Sequence, residues 1–183
     1  MFKPTGWDEA PVKGEYEPLE LGGHVCVIKK AESDQTKSGR ECIRLYLDIA
    51  EGRQKGYYEQ SYKADDRPEK RWGCIYTQLI DGDSMSYAKG MFTAIEKSNP
   101  GYKWSWDEST LKGKMIGGVF GREQYINAKG DLKFAIKCMM LRSIDAIRGG
   151  VDVPPDKLLG TTSGQATRSN AYVEISKDDE LPW

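Results

Sequence analysis

The strictest constraint on the fold is a stretch in which apolar and other side chains alternate without interruption. The apolar set is Ile43, Leu45, Leu47 and Ile49, and the set between them is Cys42, Arg44, Tyr46 and Asp48. A period of two places these sets on opposite faces of a β-strand, whereas a helix needs a period near 3.6. The pattern therefore predicts a strand over 42–49, with one face in a core and the other turned outward.

Four further strands are predicted around this one. The β-branched run Val25-Cys26-Val27-Ile28 follows a Gly-Gly turn and predicts a first strand over 24–32. A short third strand is predicted around 57–61, a fourth over 114–126 and a fifth over 132–144. The sequence from Asn127 to Gly130 predicts a tight hairpin between the last two strands.

One helix is predicted between the third and fourth strands, from Ser84 or Ser86 to Ser98. Serine can cap the start of a helix, and Asn99-Pro100-Gly101 would end this one. Its apolar stripe consists of Ala88, Met91, Phe92 and Ile95. Trp104 and Trp106, which follow, are expected to pack on the core or on this helix.

The order strand, strand, strand, helix, strand, strand is that of the OB-fold, a five-stranded Greek-key barrel. Competing small β-barrels usually lack a helix at that place. We therefore predict a mainly β chain with an OB-fold domain over 22–153 and an irregular N-terminal arm over 1–21. Its composition predicts a linker over 154–177, and a short C-terminal tip follows over 178–183.

The predicted barrel has a surface suited to nucleic acid. OB-folds bind oligonucleotides across strands 2 and 3, between the loops that join strands 1–2 and 4–5. Aromatic rings that stack on bases, flanked by cations that follow the phosphates, are what sequence-tolerant single-strand binding requires. We expect this site to consist of Lys37, Arg40, Arg44, Tyr46, Tyr57, Tyr58, Trp72, Lys129, Lys133 and Lys137. Alternation allows only one of Tyr57 and Tyr58 to face the groove, and each residue alone is also typical of an ordinary protein surface.

The chain ends in three carboxylates followed by an aliphatic residue, proline and an aromatic residue. These six residues are Asp178, Asp179, Glu180, Leu181, Pro182 and Trp183. They resemble the acidic tip of bacterial single-stranded DNA-binding proteins, which ends Asp-Asp-Asp-Ile-Pro-Phe. A partner pocket with an apolar slot and a basic rim would accept the ring and the carboxylates, so we expect all six to bind a partner. The alternative is a solvated acidic tail whose Trp183 packs back on its own domain.

Composition argues against most catalytic sites. His24, the only histidine, is expected in a strand, and Asp48 and Glu51 lack a third ligand for a nuclease metal.

The stretch 171–183 contributes −3 to a net charge of −1, which leaves a mildly basic body of +2. Four scattered cysteines without a CxxC pair indicate reduced thiols in the cytoplasm. We expect no catalysis, cofactor, metal, signal peptide or membrane-spanning segment.

Over roughly 22–155 the chain resembles a family of single-stranded DNA-binding proteins encoded by phages of Gram-positive bacteria. The similarity rests on Lys37-Ser38-Gly39-Arg40-Glu41, Leu47-Asp48-Ile49-Ala50-Glu51-Gly52, Ile95-Glu96-Lys97-Ser98-Asn99 with Gly101-Tyr102, and Leu111-Lys112-Gly113-Lys114 leading to Val119-Phe120-Gly121. It implies a protein of the host cytoplasm that protects single-stranded DNA during phage replication or recombination. Its partners would be phage or host replication and recombination proteins. An OB-fold adaptor with little or no DNA binding is the alternative, and homo-oligomerisation stays open.

Overall fold

The computed structural model describes residues 17–160. Its strands are β1 (Gly22–Gln35), β2 (Glu41–Ile49), β3 (Ile75–Leu79), β4 (Met115–Ile126) and β5 (Leu132–Arg142). Its α-helices are α1 (Tyr57–Ala64), α2 (Met85–Ser98) and α3 (Ile144–Arg148), with single-turn 3₁₀ helices at Gly82–Ser84 and Glu108–Leu111. Most of the predicted N-terminal arm, most of the linker and the whole C-terminal tip lie outside the described residues.

The five strands form one antiparallel sheet in the order β3-β2-β1-β4-β5. β1 is the central strand because it pairs with β4 through Gly22–Val27 and with β2 through Cys26–Gln35. The register with β2 shifts between Ile28 and Lys30, and a bulge of this kind bends a strand and increases its twist. The prediction of a mainly β chain with five strands is confirmed. Within residues 17–160 no ladder joins β3 to β5, so the sheet is open between them.

The predicted third strand around 57–61 is wrong, because this segment is the helix α1. The buried Asp48 carboxylate on β2 accepts hydrogen bonds from the backbone N–H groups of Tyr58 and Ile49, each at 2.9 Å. Gly56 turns the chain just before the helix with a left-handed φ of 74°. A carboxylate at the first turn satisfies an N–H group that the helix itself leaves unpaired. The strand that occupies the third place is β3, at Ile75–Leu79.

The helix α2 lies between β3 and β4, as predicted, and all four residues of its apolar stripe are buried. Ser84 occupies the N-cap position and the helix ends at Ser98, as predicted, but the Ser84 side chain makes no capping hydrogen bond. At the other end the Asn99 amide donates to the carbonyls of Ile95 and Met115, both at 2.7 Å, and thereby ties the helix to β4. Trp104 stacks on Phe92 with ring centroids 4.3 Å apart, as expected of a residue that packs on the helix.

The end of the sheet differs from the prediction because β5 stops at Arg142 and α3 follows. The Ser143 hydroxyl accepts a hydrogen bond from the Ala146 N–H at 3.4 Å, which caps the start of α3. α3 packs on β4 at Gly117, where a Cβ atom would lie 2.2 Å from the Ile147 side chain. The glycine therefore makes room for Ile147.

The core lies between the sheet and α2, with Phe120, Ile28 and Leu45 fully buried. All four cysteines are buried and no disulfide joins them. Of the helices within residues 17–160, none has both the length and the apolar character needed to cross a membrane.

Candidate nucleic-acid interface

The outward face of β2 does not offer Tyr46 as an open stacking platform. Tyr46 lies opposite Lys30 on β1 and Ile75 on β3, and it is only 4% exposed. Its hydroxyl donates to the Glu32 carboxylate at 2.8 Å, and the Lys30 ammonium lies 5.4 Å from the ring centroid. Burial, together with the hydrogen bond to Glu32, raises the pKa of Tyr46 to about 12. The expected exposure of this ring is wrong because side chains of the neighbouring strands already pack along it.

Arg44 is also buried, at 5% exposed, although its place on the outward face was predicted to leave it in solvent. Its Nη1 atom lies 2.9 Å from Oδ2 of Asp34 on β1. The Nε atom is buried and makes no hydrogen bond with the described part of the chain. A phosphate that reached this guanidinium would have to displace the Asp34 carboxylate, so Arg44 is not a ready phosphate contact.

The three aromatic residues expected beside β2 are tied into the core. Tyr58 is buried with its ring stacked near Phe120 at 6.4 Å between centroids, and burial raises its pKa well above the usual range. Tyr57 meets Tyr58 edge-on at 5.1 Å. The Trp72 indole donates its N–H to the Leu47 carbonyl at 2.8 Å and packs partly buried against the core. Because Tyr57 and Tyr58 belong to α1, the predicted pair on a third strand does not exist.

The β1–β2 loop carries one cation in a structural contact and one exposed cation. Arg40 binds the Asp81 carboxylate at 2.7 Å and the Ser84 hydroxyl at 3.3 Å. This pairing fixes the loop to the start of α2, and it lowers the pKa of Asp81. Lys37, at the turn of the loop, is exposed.

A two-stranded arm, residues 121–137, extends from the sheet beyond the last β1 partner. β1 pairs with β4 no further than Phe120, whereas the β4–β5 ladder continues to the pair Ile126 and Leu132. Asn127 closes the hairpin, since its side-chain oxygen accepts from the N–H groups of Lys129 and Asp131, both at 2.9 Å. The predicted hairpin is confirmed, and its strands run well past the core that they help to build.

Each face of the arm carries a half-exposed aromatic ring next to a cation. On one face Tyr125 lies directly opposite Lys133 and is 42% exposed. On the other face Phe134 is 45% exposed, with the Arg122 guanidinium 5.2 Å from its ring centroid. Exposed rings of this kind present a π-face to a base, and a nearby lysine that no carboxylate holds can reach the adjoining phosphate.

The cations of the arm divide into paired and solvent-facing groups. Lys137 and Lys157 both contact the Glu123 carboxylate, at 2.7 and 2.6 Å. Burial acts to raise the pKa of Glu123, but the two lysines outweigh it and the pKa is lowered. Lys129 and Lys133 are exposed and form no ion pair with any residue of the described range. These two lysines are thus available to phosphate without breaking an existing contact.

The segment after α3 runs beside the arm. The Lys157 N–H donates to the Arg122 carbonyl at 2.9 Å, and the Gln124 N–H donates to the Lys157 carbonyl at 2.8 Å. Arg122 also pairs with Asp156 at 2.6 Å. The first residues of the predicted linker are therefore held against β4, and this support keeps the arm in a defined position.

The site predicted from the sequence included Lys129, Lys133 and Lys137 of the arm but not Tyr125 or Phe134. Alternation placed Phe134 among the inward apolar residues of the fifth strand, and its direction is correct, because it shares a face with the core residue Cys138. The missing information was how far β4 and β5 run past Phe120, the last β4 residue that pairs with β1. The length of the two final strands compared with the first strand was the signal that could have revealed it.

Residues 17–160 contain no candidate metal site, because no three His, Cys, Asp or Glu side chains are grouped to hold an ion. Asp48 accepts backbone hydrogen bonds, and Glu51 pairs with Arg148 at 3.1 Å.

No protein-family model matches the chain, and no curated protein matches it. The case for a function therefore depends on the arm and on its surroundings.

Proposed function

We propose that this chain binds single-stranded DNA on an OB-type barrel and that the arm, residues 121–137, is its principal contact surface. Bases would stack on Phe134 and Tyr125, and phosphates would meet Lys129 and Lys133. Binding of this kind needs neither a cofactor nor a catalytic group, and we include no catalysis in the proposal. The observation that carries it is the pair of half-exposed rings flanked by cations outside the packed core.

The arrangement of the sheet supports the OB assignment. β1 is shared between β2 and β4, β5 follows β4 as a hairpin, and α2 connects β3 to β4. An OB-fold is a partly open five-stranded Greek-key barrel whose β4–β5 connection borders the oligonucleotide groove. No ladder between β3 and β5, which would close such a barrel, is found among the described strands.

The biological role is proposed from the resemblance to phage-encoded single-stranded DNA-binding proteins. The chain would protect single strands during phage replication or recombination in the host cytoplasm. Its C-terminal tip, residues 178–183, would recruit replication or recombination proteins, because three carboxylates and an aromatic ring suit a basic-rimmed apolar pocket. The tip lies outside the described residues, so its support is the sequence alone.

The test is a fluorescence anisotropy titration with a labelled oligo-dT and its duplex form. We expect the single strand to bind more tightly, because paired bases cannot reach the rings of the arm. Base–aromatic stacking is worth roughly 1–3 kcal/mol, so Phe134→Ala should weaken binding about 5- to 150-fold. Trp106→Ala is the matched control, since Trp106 is an exposed ring (77%) away from the arm, and it should bind as the wild type does.

A protein–protein adaptor is the second candidate, favoured by two large aliphatic side chains on the same arm. Ile126 and Leu132 are 49% and 60% exposed and lie opposite each other at the end of the hairpin. Aliphatic side chains add little to base stacking but are useful in a protein interface. An adaptor would show no measurable affinity for oligo-dT, whereas Ile126→Ser with Leu132→Ser would abolish capture of its protein partner.

A further inference from the structure

A cleft of about 420 Å³ lies where the sheet is open, between β3 and β5 and against α2. It is on a different part of the molecule from the arm, because its β5 residues come from 140–142, at the opposite end of that strand. The volume is in the range of pockets that bind a small molecule or a few residues of peptide. Neither the cleft nor its residues take part in the DNA-binding proposal.

The cleft combines an apolar floor with a basic rim. Met91, Met140 and Leu141 supply apolar surface, and Met side chains adapt readily to an aromatic guest. Tyr87 adds an aromatic wall. At the rim Lys97 and Arg142 are exposed and form no ion pair with another described residue. A ligand that fits this cleft would carry an aromatic or aliphatic group next to negative charge.

We propose that the C-terminal tip of the same chain, residues 178–183, occupies this cleft when no partner protein holds it. The Trp183 ring and Leu181 would fill the apolar floor. The carboxylates of Asp178 to Glu180 would pair with Lys97 and Arg142. The inference does not depend on DNA binding, since it uses neither the arm nor a nucleic acid.

Two observations favour this occupant over an unrelated ligand. The first is charge: the tip brings three acidic side chains, and the rim offers two cations that form no ion pair in the described range. The second is reach: the stretch 161–177 can span at most roughly 60 Å when fully extended, more than the width of a domain of this size. A tethered ligand also has an effective concentration of about millimolar, which favours occupancy even at modest affinity.

The test uses a fluorescein-labelled peptide with the sequence of residues 178–183. It is titrated with the full-length wild type and with full-length Trp183→Ala, in which the aromatic anchor of the tethered tip is removed. We expect Trp183→Ala to bind the peptide about tenfold more tightly than the wild type, because the wild-type tip competes for the same cleft. Adding Lys97→Glu and Arg142→Glu to Trp183→Ala should weaken peptide binding by about tenfold or more.

The matched control is Lys89→Glu in the Trp183→Ala background, because Lys89 is an exposed cation of α2 outside the cleft. It should leave peptide binding unchanged. Equal peptide affinity for wild type and Trp183→Ala would overturn the proposal, as would absence of binding to Trp183→Ala or indifference to the two rim reversals. A dimer seen in sedimentation and lost in Trp183→Ala would assign the tip to a second copy and would overturn the intramolecular arrangement. The oligo-dT titration is independent of all these outcomes.

Discussion

At the scale of single residues, we expect Tyr46 to stabilise the fold as a buried side chain and not to stack on a base. Tyr46→Ala should lower the free energy of unfolding by about 3–5 kcal/mol, as other truncations of large buried aromatic residues do. Tyr46→Phe removes only the hydrogen bond to Glu32 and should cost about 1 kcal/mol. Urea denaturation measures both changes. Because Tyr46→Phe leaves the arm intact, its affinity for oligo-dT should equal that of the wild type. A large loss of affinity would indicate that Tyr46 belongs to the DNA-binding site.

Single residues also show why part of the site could not be predicted from sequence. The alternation over 42–49 gives the direction of Arg44 and Tyr46, but it does not say whether other side chains cover them. Coverage comes from long-range pairing with Glu32, Lys30 and Asp34 on β1. Cations and tyrosines on an interior strand such as β2 are therefore weaker indicators of a binding surface than the same residues on a hairpin that extends past its neighbour.

At the scale of secondary-structure elements, the arm should govern the salt dependence of binding. Each phosphate contacted on a single strand contributes about −0.7 to the slope of log K against log salt. Lys129→Glu with Lys133→Glu should make the slope shallower by about 1.4 and weaken binding at low salt. Lys89→Glu on α2 reverses one exposed cation away from the arm, and as the control it should leave the slope unchanged. An unaltered slope in the double variant would indicate that these two lysines do not contact phosphate.

The contact between the arm and the segment 156–159 should depend on pH through Glu123. Its pKa is lowered in the folded state, so the stability that it contributes is present above its unfolded pKa of about 4.3. That contribution is lost as the pH falls through the folded-state pKa. Urea denaturation should therefore show a larger difference between wild type and Glu123→Gln at pH 7 than in acid. A difference that grows on acidification would contradict the ion pairing with Lys137 and Lys157.

Elements differ in how far local sequence determines them. α2 was predictable because its apolar stripe and the Asn99-Pro100 stop are both local. α1 was not, because its tyrosines favour a strand and its start is fixed by Asp48, ten residues earlier on β2. The hairpin was predictable from its turn, but the exposure of Phe134 depends on how far β4 and β5 run past Phe120, which no local pattern records.

At the scale of the whole molecule, DNA binding and partner recruitment should separate. Deleting residues 178–183 should leave oligo-dT affinity unchanged or modestly higher, because acidic side chains no longer compete with phosphate. The same deletion should abolish capture of replication or recombination proteins from an infected-cell lysate.

Trp183→Ala should cause most of this loss, since an aromatic anchor usually dominates a small interface. Asp178→Asn with Asp179→Asn should cause less, and mainly at low salt. If the full-length and the truncated protein capture the same proteins, the tip does not recruit them.

The most direct test of the central claim is a photo-crosslink from single-stranded DNA to the protein. An oligo-dT that carries iodouracil is bound to the wild type and irradiated, and the crosslinked peptides are identified by mass spectrometry. If the arm is the principal contact surface, the crosslinks will map to the peptides that contain Phe134 and Tyr125, and Phe134→Ala will reduce them. Crosslinks concentrated on α2 or at Trp106, with the arm unlabelled, would contradict the account.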